Sequence, residues 1–315
     1  MTTNTAGSAT GTPFPSAPHR TAALAVLAAA PSSDRPLPES EGENMSTALP
    51  ASSLGRMVRG NGPGLLLAHG AGGGIDANYG PIMDTLAAQH TVVGPDYPGT
   101  GRTKRADAPL ALNALADELV ATAVEEGLQT FAIAGYSLGS PLAIRAATRH
   151  PDRVTALVLT AGFAHPNPRF LLAVRLWRDL LRAGDPERLA GYLSLIGLSA
   201  PALDVMAQDD LDSAVKMTAA TIPPGTPEHL DLLIEHIDVR ADLAAIAVPT
   251  LVISTTLDQL VTPHHHRQLA DAIPGARYAE IATGHLPFIE QPEEWATLIR
   301  DFLRENSSIG IYPAA

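Results

Sequence analysis

The segment FAIAGYSLGSPLA, residues 131–143, decides which fold this chain adopts. It begins with an apolar, strand-like run and ends in a helical pattern rich in alanine and leucine, so it predicts a buried strand that leads directly into a helix. At the junction, Ser137 lies two residues after Gly135 and two residues before Gly139. Small residues also occur at such junctions for packing alone, so the serine gains a chemical meaning only if other residues can activate it.

Strand and helix patterns alternate along most of the chain. The helical patterns cover residues 79–90, 110–127, 138–149 and 263–272. Apolar runs between them predict the strands GRMVRG, GLLLAHG, TVVGPD, TFAIAGY, VTALVLTAG, PTLVIST and ARYAEIA. Because parallel strands are joined by crossover helices, this alternation predicts an α/β fold with a mostly parallel sheet and helices on both faces.

Residues 164–240 interrupt the alternation, since they carry helical patterns and no strand signal. An insertion of this size above a sheet predicts a helical cap over a pocket, flanked by the core segments 51–163 and 241–306. The alternative is that the inserted helices only enlarge the core. The helices are predicted from an apolar stripe formed by Phe170, Val174, Trp177 and Leu181, and from patterns over 186–196, 201–216 and 227–239.

The two ends of the chain differ from the rest in composition. Residues 1–50 are rich in Ala, Pro, Ser and Thr without a sustained period, which predicts a disordered extension. Met45 directly precedes sequence that reads as folded, so it is a candidate for the true translation start, and residues 307–315 are predicted to be a flexible tail. The stretch HRTAALAVLAAAPSS resembles an export signal but follows a long leader whose basic residue is Arg20, so a cytoplasmic location is favoured over export.

Composition narrows the classes of function. A formal net charge of -12 and a pI near 5.3 disfavour nucleic acid and anionic membrane surfaces as partners. No apolar run reaches the ~20 residues that span a bilayer, and the absence of cysteine excludes disulfides, thiolate zinc sites and a cysteine nucleophile. The run GAGGG imitates a dinucleotide-binding loop, but Ile75 stands where the pattern requires glycine. We expect no cofactor, no metal and a small-molecule partner; the oligomeric state is left open.

An unactivated serine hydroxyl is a poor nucleophile and requires a histidine to accept its proton and an acid to orient that histidine. Asp258 follows an apolar strand in VISTTLDQLVTP, and His285 lies in the loop IATGHLPFIEQPEEW after the next strand. The carboxyl ends of parallel strands share one edge of the sheet. The sequence therefore predicts that Ser137, Asp258 and His285 meet at that edge.

With the order nucleophile, acid, histidine, the chain resembles the α/β-hydrolase superfamily, specifically its cap-bearing serine hydrolases. The resemblance covers roughly residues 53–305 and rests on LLLAHGAGG, VVGPDYPGTGRT, GYSLG and GHLPFIEQPEEW. It implies an α/β-hydrolase fold in which Ser137 occupies a nucleophile elbow and Gly135 and Gly139 avoid clashes between strand and helix. It also implies a Ser137–Asp258–His285 triad and an oxyanion hole made by the backbone N–H groups of Ala71 and Leu138.

Several further residues receive supporting roles. Tyr136, beside the serine, and Trp177, on the cap, are predicted substrate contacts, although Tyr136 could simply pack. His69 is expected to shape its loop, and Asp96 to fix its own turn instead of serving as the triad acid.

The residues around the acid and the histidine raise separate questions. Thr255 and Thr256 stand where relatives often carry a glycine before the acid, which leaves that turn open. His264, His265 and His266 look like a metal cluster, but consecutive helical residues project about 100° apart. We expect a solvated helix start there, and we expect Glu290 and Trp295 to anchor the last helix.

The resemblance implies a serine hydrolase that cleaves an ester, lactone, thioester or amide of a small, largely apolar substrate through an acyl-enzyme. A serine at the elbow argues against epoxide hydrolases and haloalkane dehalogenases, which use an aspartate there. Two alternatives stay open: cofactor-free non-hydrolytic chemistry of the haloperoxidase, lyase or cyclase type, and a non-catalytic ligand receptor.

Overall fold

The computed structural model describes residues 51–306. The predicted extension 1–50 with its candidate start Met45, and the predicted tail 307–315, lie outside these residues. Within the described range, seven strands form one sheet: β1 Arg56–Arg59, β2 Gly64–Ala68, β3 Thr91–Pro95, β4 Phe131–Tyr136, β5 Val154–Thr160, β6 Thr250–Thr255 and β7 Arg277–Ile281. Their order is β1-β3-β2-β4-β5-β6-β7, with β1 antiparallel to β3 and the remaining neighbours parallel, so the mostly parallel sheet is confirmed.

The helices cover both faces of this sheet, as predicted. Residues of α3, α4 and α10 pack against one face, whereas residues of α1, α2 and α12 pack against the other. The helices are α1 Ile75–Tyr79, α2 Met83–Ala87, α3 Leu112–Glu125, α4 Gly139–Arg149, α5 Pro168–Arg182, α6 Pro186–Gly197, α7 Ala200–Asp204, α8 Gln208–Ala220, α9 Thr226–Glu235, α10 Pro263–Ala272, α11 Pro287–Glu290 and α12 Pro292–Asn306.

Successive residues of the central strands enter different hydrophobic cores. In β2, Leu66 packs on the face covered by α3 and α4, whereas Leu65 and Leu67 pack on the opposite face. Leu157 and Val158 of β5 alternate in the same way. Because side chains of a strand point alternately to the two faces, a sheet covered on both sides needs such continuous apolar runs.

Three predicted helices differ from the structure. The helix predicted over 79–90 is replaced by α1, a 3-10 turn at Gly80–Ile82 and α2. Pro81 lies in that turn and has no backbone N–H for a helical hydrogen bond, which explains the break. The helix predicted over 201–216 is divided into α7 and α8, because Ala207 adopts an extended backbone with φ -67° and ψ 147°. The helix predicted over 227–239 ends earlier, at Glu235.

Five helices, α5 to α9, lie between β5 and β6 and are called the cap here. Helix α5 packs on α6 and α9, and α6 packs on α8. Phe170, Val174 and Trp177 on α5 are buried, whereas α7 and α8 contribute no fully buried residue. The cap is therefore attached mainly through α5, α6 and α9. The exact division into core and cap at residues 164 and 240 stays a prediction.

Across residues 51–306, none of the helices combines the length and apolar character that a membrane crossing requires.

Candidate active site

Ser137 occupies the tight turn between β4 and α4. Its φ is +53°, a left-handed conformation that costs a non-glycine residue roughly 1–2 kcal/mol. The flanking glycines make the turn possible: a Cβ on Gly139 would lie 1.9 Å from the Ala68 carbonyl oxygen, and one on Gly135 would lie 2.4 Å from the Gly139 carbonyl oxygen. The expectation that both glycines prevent clashes between strand and helix is confirmed. The turn places the serine side chain at the amino end of α4.

The structure joins Ser137, His285 and Asp258 by hydrogen bonds. His285 Nε2 lies 3.0 Å from Ser137 Oγ, and His285 Nδ1 lies 2.7 Å from Asp258 Oδ2. Only 7%, 5% and 4% of the respective residue surfaces are exposed. With the aspartate accepting from Nδ1–H, Nε2 is free to accept the serine proton.

Asp258 is held by three groups besides His285. The N–H groups of Leu260 and Val261 donate to its Oδ1 at 2.8 and 2.9 Å, and the Thr255 hydroxyl donates to Oδ2 at 2.9 Å. The threonine found in place of a glycine therefore supports the acid directly. These bonds fix the carboxylate orientation that His285 requires.

Residues 282–286, which carry His285 and are called the histidine loop here, are fixed from two sides. The Tyr136 hydroxyl donates to the His285 carbonyl oxygen at 2.9 Å, so the residue next to Ser137 also holds the backbone of His285. From the other side, the Glu290 carboxylate accepts from the Gly284 N–H at 3.0 Å and from the N–H and hydroxyl of Ser199 at 3.0 and 2.6 Å. Glu290 thus ties the start of α7 in the cap to the histidine loop. The sequence predicts that Glu290 anchors the last helix, whereas in the structure its carboxylate holds these two other segments.

Residues 69–73 follow β2 and are named the oxyanion loop here, after the role that the family resemblance predicts for Ala71. His69 Nδ1–H donates to the Gly70 carbonyl oxygen at 2.8 Å, and the Tyr97 N–H donates to His69 Nε2 at 3.0 Å. Carbonyl and N–H point in opposite directions across a trans peptide, so fixing the Gly70 carbonyl also fixes the Ala71 N–H. Within residues 51–306, neither the Ala71 nor the Leu138 N–H donates to a protein acceptor, which leaves both for a ligand.

His69 is neutral in this arrangement. Burial, followed by the nearby His229, lowers the pKa of His69 to about 3. Its ring stacks on Tyr97 with 3.7 Å between centroids. The residue shapes the loop, as expected from the sequence, and its two ring nitrogens are both occupied by backbone groups.

A family model described as the alpha/beta hydrolase fold matches residues 63–292. The chain belongs to the α/β-hydrolase family. Among solved structures, a thermophilic esterase from Thermogutta terrifontis superimposes with a TM-score of 0.71 at 25% identity, covering 80% of this α/β hydrolase and 93% of the esterase.

Two curated relatives of this α/β hydrolase are named as hydrolytic enzymes. Pyrrolizixenacetamide deacetylase of Xenorhabdus hominickii is 35% identical over 248 residues, which are 78% of this chain and 92% of the relative. Pimeloyl-(acyl-carrier protein) methyl ester esterase of Photobacterium profundum is 28% identical over 264 residues, 78% of this chain and 97% of the relative. The α/β hydrolase described here is an ester hydrolase-like enzyme.

Not every predicted residue of the α/β hydrolase contacts the triad in the same way. Tyr136 is buried beneath His285, with ring centroids 5.3 Å apart, and its role as a substrate contact stays a prediction. Trp177 reaches the oxyanion loop, because a Cβ on Gly72 would lie 2.8 Å from its Cζ2. Asp96 accepts from the N–H groups of Ile75 and Arg102 at 2.8 and 3.0 Å, so it organises its surrounding loops as expected.

The expectation of a solvated histidine run at the start of α10 is wrong for two of its three residues. His265 and His266 are buried, and only His264 is exposed. The reason is the position of α10, which packs on β6 and directs these two rings toward Ser254 and Phe163. Burial is the main cause that lowers the pKa of His266 to about 4.

Sequence reasoning missed two polar residues of the cap that reach the site. Ser199 contacts Glu290 as described above, and His229 of α9 accepts a hydrogen bond from the Gly72 N–H in the oxyanion loop. A lone serine or histidine in a helical insertion gives no signal in one sequence. Only the position of the cap in the folded structure shows that these two residues contact the site.

Proposed function

We propose that this α/β hydrolase is a serine hydrolase that cleaves a carboxylic ester, or a related acyl bond such as a lactone or thioester, through an acyl-enzyme at Ser137. The observation that carries the proposal is the continuous hydrogen-bond chain from Ser137 through His285 to Asp258. This chain supplies a nucleophile, a base and a group that orients the base.

In the acylation step, His285 Nε2 accepts the proton of Ser137 Oγ while that oxygen attacks the substrate carbonyl carbon. The carbonyl oxygen becomes an oxyanion, which the N–H groups of Ala71 and Leu138 stabilise. One such donor is commonly worth ~3–4 kcal/mol of transition-state free energy. The protonated His285 then gives its proton to the departing alcohol or thiol, and the acyl group remains on Ser137.

Deacylation repeats these steps with water. His285 removes a proton from a water molecule, whose oxygen attacks the acyl carbonyl, and the same N–H groups hold the second oxyanion. Ser137 leaves with the proton returned by His285, so the products are one acid and one alcohol or thiol. Asp258 keeps its charge throughout and stabilises the imidazolium.

The apolar residues of the cap favour a substrate that is small and largely apolar. Phe170, Val174 and Trp177 of α5 are the buried side chains of that helix, and Trp177 packs directly against Gly72 of the oxyanion loop. Its indole N–H has no acceptor within the described part of the chain. A buried donor without an acceptor costs about 1–3 kcal/mol, so in this proposal the Trp177 N–H donates to a polar atom of the bound substrate.

A second candidate is the removal of an acetyl group from an amide. It is favoured by the 35% identity to the relative named pyrrolizixenacetamide deacetylase. The same residues would act, with His285 protonating the departing amine. Rates on p-nitroacetanilide and p-nitrophenyl acetate separate the candidates, because both donate the same acetyl group and differ in the leaving atom.

The test of the main proposal is product analysis in H₂¹⁸O. Wild type and Ser137→Ala are incubated with p-nitrophenyl esters of increasing acyl length and with a lactone. We expect turnover by the wild type, one solvent oxygen in each acid product, and a rate at least about 10³-fold lower for the alanine variant. Turnover without solvent oxygen in an acid would favour non-hydrolytic chemistry, and ligand-induced stabilisation without turnover would favour a receptor.

A further inference from the structure

His229 connects the cap to the oxyanion loop through both of its ring nitrogens. The residue lies on α9 and is 0% exposed. The Gly72 N–H donates to Nδ1 at 3.2 Å, and Nε2 lies 3.2 Å from the Pro98 carbonyl oxygen, to which it donates. Burial is the main cause that lowers the pKa of His229 to about 4, in agreement with a neutral ring that accepts at Nδ1.

This contact acts on the peptide that follows the predicted oxyanion donor. His69 fixes the peptide between Gly70 and Ala71 through the Gly70 carbonyl, and His229 fixes the next peptide through the Gly72 N–H. Two adjacent peptide planes determine φ and ψ of the residue between them. Ala71 is therefore held from one side by the core and from the other side by the cap.

Helix α9 is docked closely at this point. The Gly225 N–H donates to the Gly99 carbonyl oxygen at 2.9 Å, and a Cβ on Gly225 would lie 2.3 Å from the Pro98 carbonyl oxygen. One residue before the histidine, Glu228 forms an ion pair with Arg105 at 2.7 Å. The backbone contact and the ion pair secure the helix independently of His229, so the histidine is not needed merely to attach it.

We infer that His229 is a positioning residue through which the seated cap sets the direction of the Ala71 N–H in the oxyanion hole. The inference rests on the proposed function and adds to it a dependence of catalysis on a cap residue that touches neither the substrate nor the triad. An oxyanion hole works only when its donors point at the developing charge. Loss of the hydrogen bond between Gly72 and His229 should therefore lower kcat more than it changes KM.

Two amide substitutions separate the two bonds of His229. Asparagine places its Oδ1 near the position of Nδ1 and can accept from the Gly72 N–H, whereas glutamine reaches toward Nε2 and can donate to the Pro98 carbonyl. His229→Asn is expected to keep kcat within about threefold of wild type. His229→Gln is expected to lower kcat by about 10- to 100-fold with KM within about threefold, since displacing one oxyanion donor costs up to 10²–10³-fold.

The control is Glu235→Gln, at an exposed position of α9 whose carboxylate lies near His236 and not near the oxyanion loop; its kcat should equal that of wild type. Thermal unfolding of each variant accompanies the kinetics. Wild-type kcat in His229→Gln, or equal losses in His229→Asn and His229→Gln, would overturn the inference while the proposed function stands. A wild type without ester turnover and without a fluorophosphonate adduct on Ser137 would overturn both.

Discussion

The two sides of Ser137 depend on the cap to different degrees. On the acid–base side, the groups of the described residues that hydrogen-bond the Asp258 carboxylate all belong to the core: Thr255, Leu260, Val261 and His285. The cap reaches this side through the bond of Ser199 to Glu290, which holds the loop of His285 and not the acid. On the oxyanion side, the loop is held by His69 from the core and by His229 from the cap.

In the proposed mechanism, this difference makes the activation of Ser137 a property of the core and the stabilisation of the oxyanion partly a property of the cap. Strand ends of a two-sided core are rigid because close packing leaves no alternative arrangement. Within the cap, α7 and α8 contribute no buried residue, whereas α9, which carries His229, contributes five and is packed more firmly. Changes at Asp258 should therefore act regardless of the cap, whereas changes at His229 should report how the cap is seated.

The largest effect is expected from Asp258→Asn. The amide keeps the size of the carboxylate, but it stabilises the wrong tautomer of His285 and has no negative charge to stabilise the imidazolium. We therefore expect kcat to fall by about 10⁴-fold. Steady-state kinetics on the best ester substrate measure this, with thermal unfolding as the control for folding. A loss of less than tenfold would mean that Asp258 is not the group that orients His285.

An intermediate effect concerns the loss of stability in acid, to which the buried histidines should contribute. His69, His229 and His266 have pKa values of about 3, 4 and 4, against 6.5 in the unfolded chain. The unfolded state therefore binds more protons below pH 6.5, and stability is lost as the pH falls from 6.5 toward 4. Each buried, neutral histidine should lower the free energy of unfolding by about 1 kcal/mol over the first pH unit below 6.5.

Urea unfolding between pH 7 and pH 5 measures this loss, and His229→Asn should remove one histidine's share of it. An unfolding free energy that is unchanged across this range would contradict the neutral, buried state of these rings, two of which hold the oxyanion side.

The smallest effect is expected from Thr255→Val. The substitution removes one of four hydrogen bonds to Asp258 and keeps the side-chain shape, so kcat should fall by roughly 2- to 10-fold, corresponding to about 1 kcal/mol. Thr256→Val is the matched control, because the Thr256 hydroxyl contacts the Ile281 carbonyl at 3.4 Å and not the acid. Equal effects of the two changes would remove Thr255 from the support of Asp258.

The fold, and the meeting of Ser137, Asp258 and His285 at one edge of the sheet, could be predicted from sequence because their signals lie in single turns and strand ends. Gly135, Ser137 and Gly139 report a steric requirement of a single turn, and the positions of Asp258 and His285 after strands follow from sheet topology. The burial of His265 and His266 depends on how α10 packs on β6, which no single-sequence pattern reveals. The contacts of Ser199 and His229 depend on how the cap docks on the core, which brings together segments that are far apart in the sequence.

The central claim is that Ser137 is an activated nucleophile. Intact-mass analysis after treatment with a small fluorophosphonate, on wild type and Ser137→Ala, tests it directly. The account predicts one covalent adduct on the wild type and none on the alanine variant, with both proteins folded. A folded wild type without an adduct, or an adduct that persists in the variant, would contradict it.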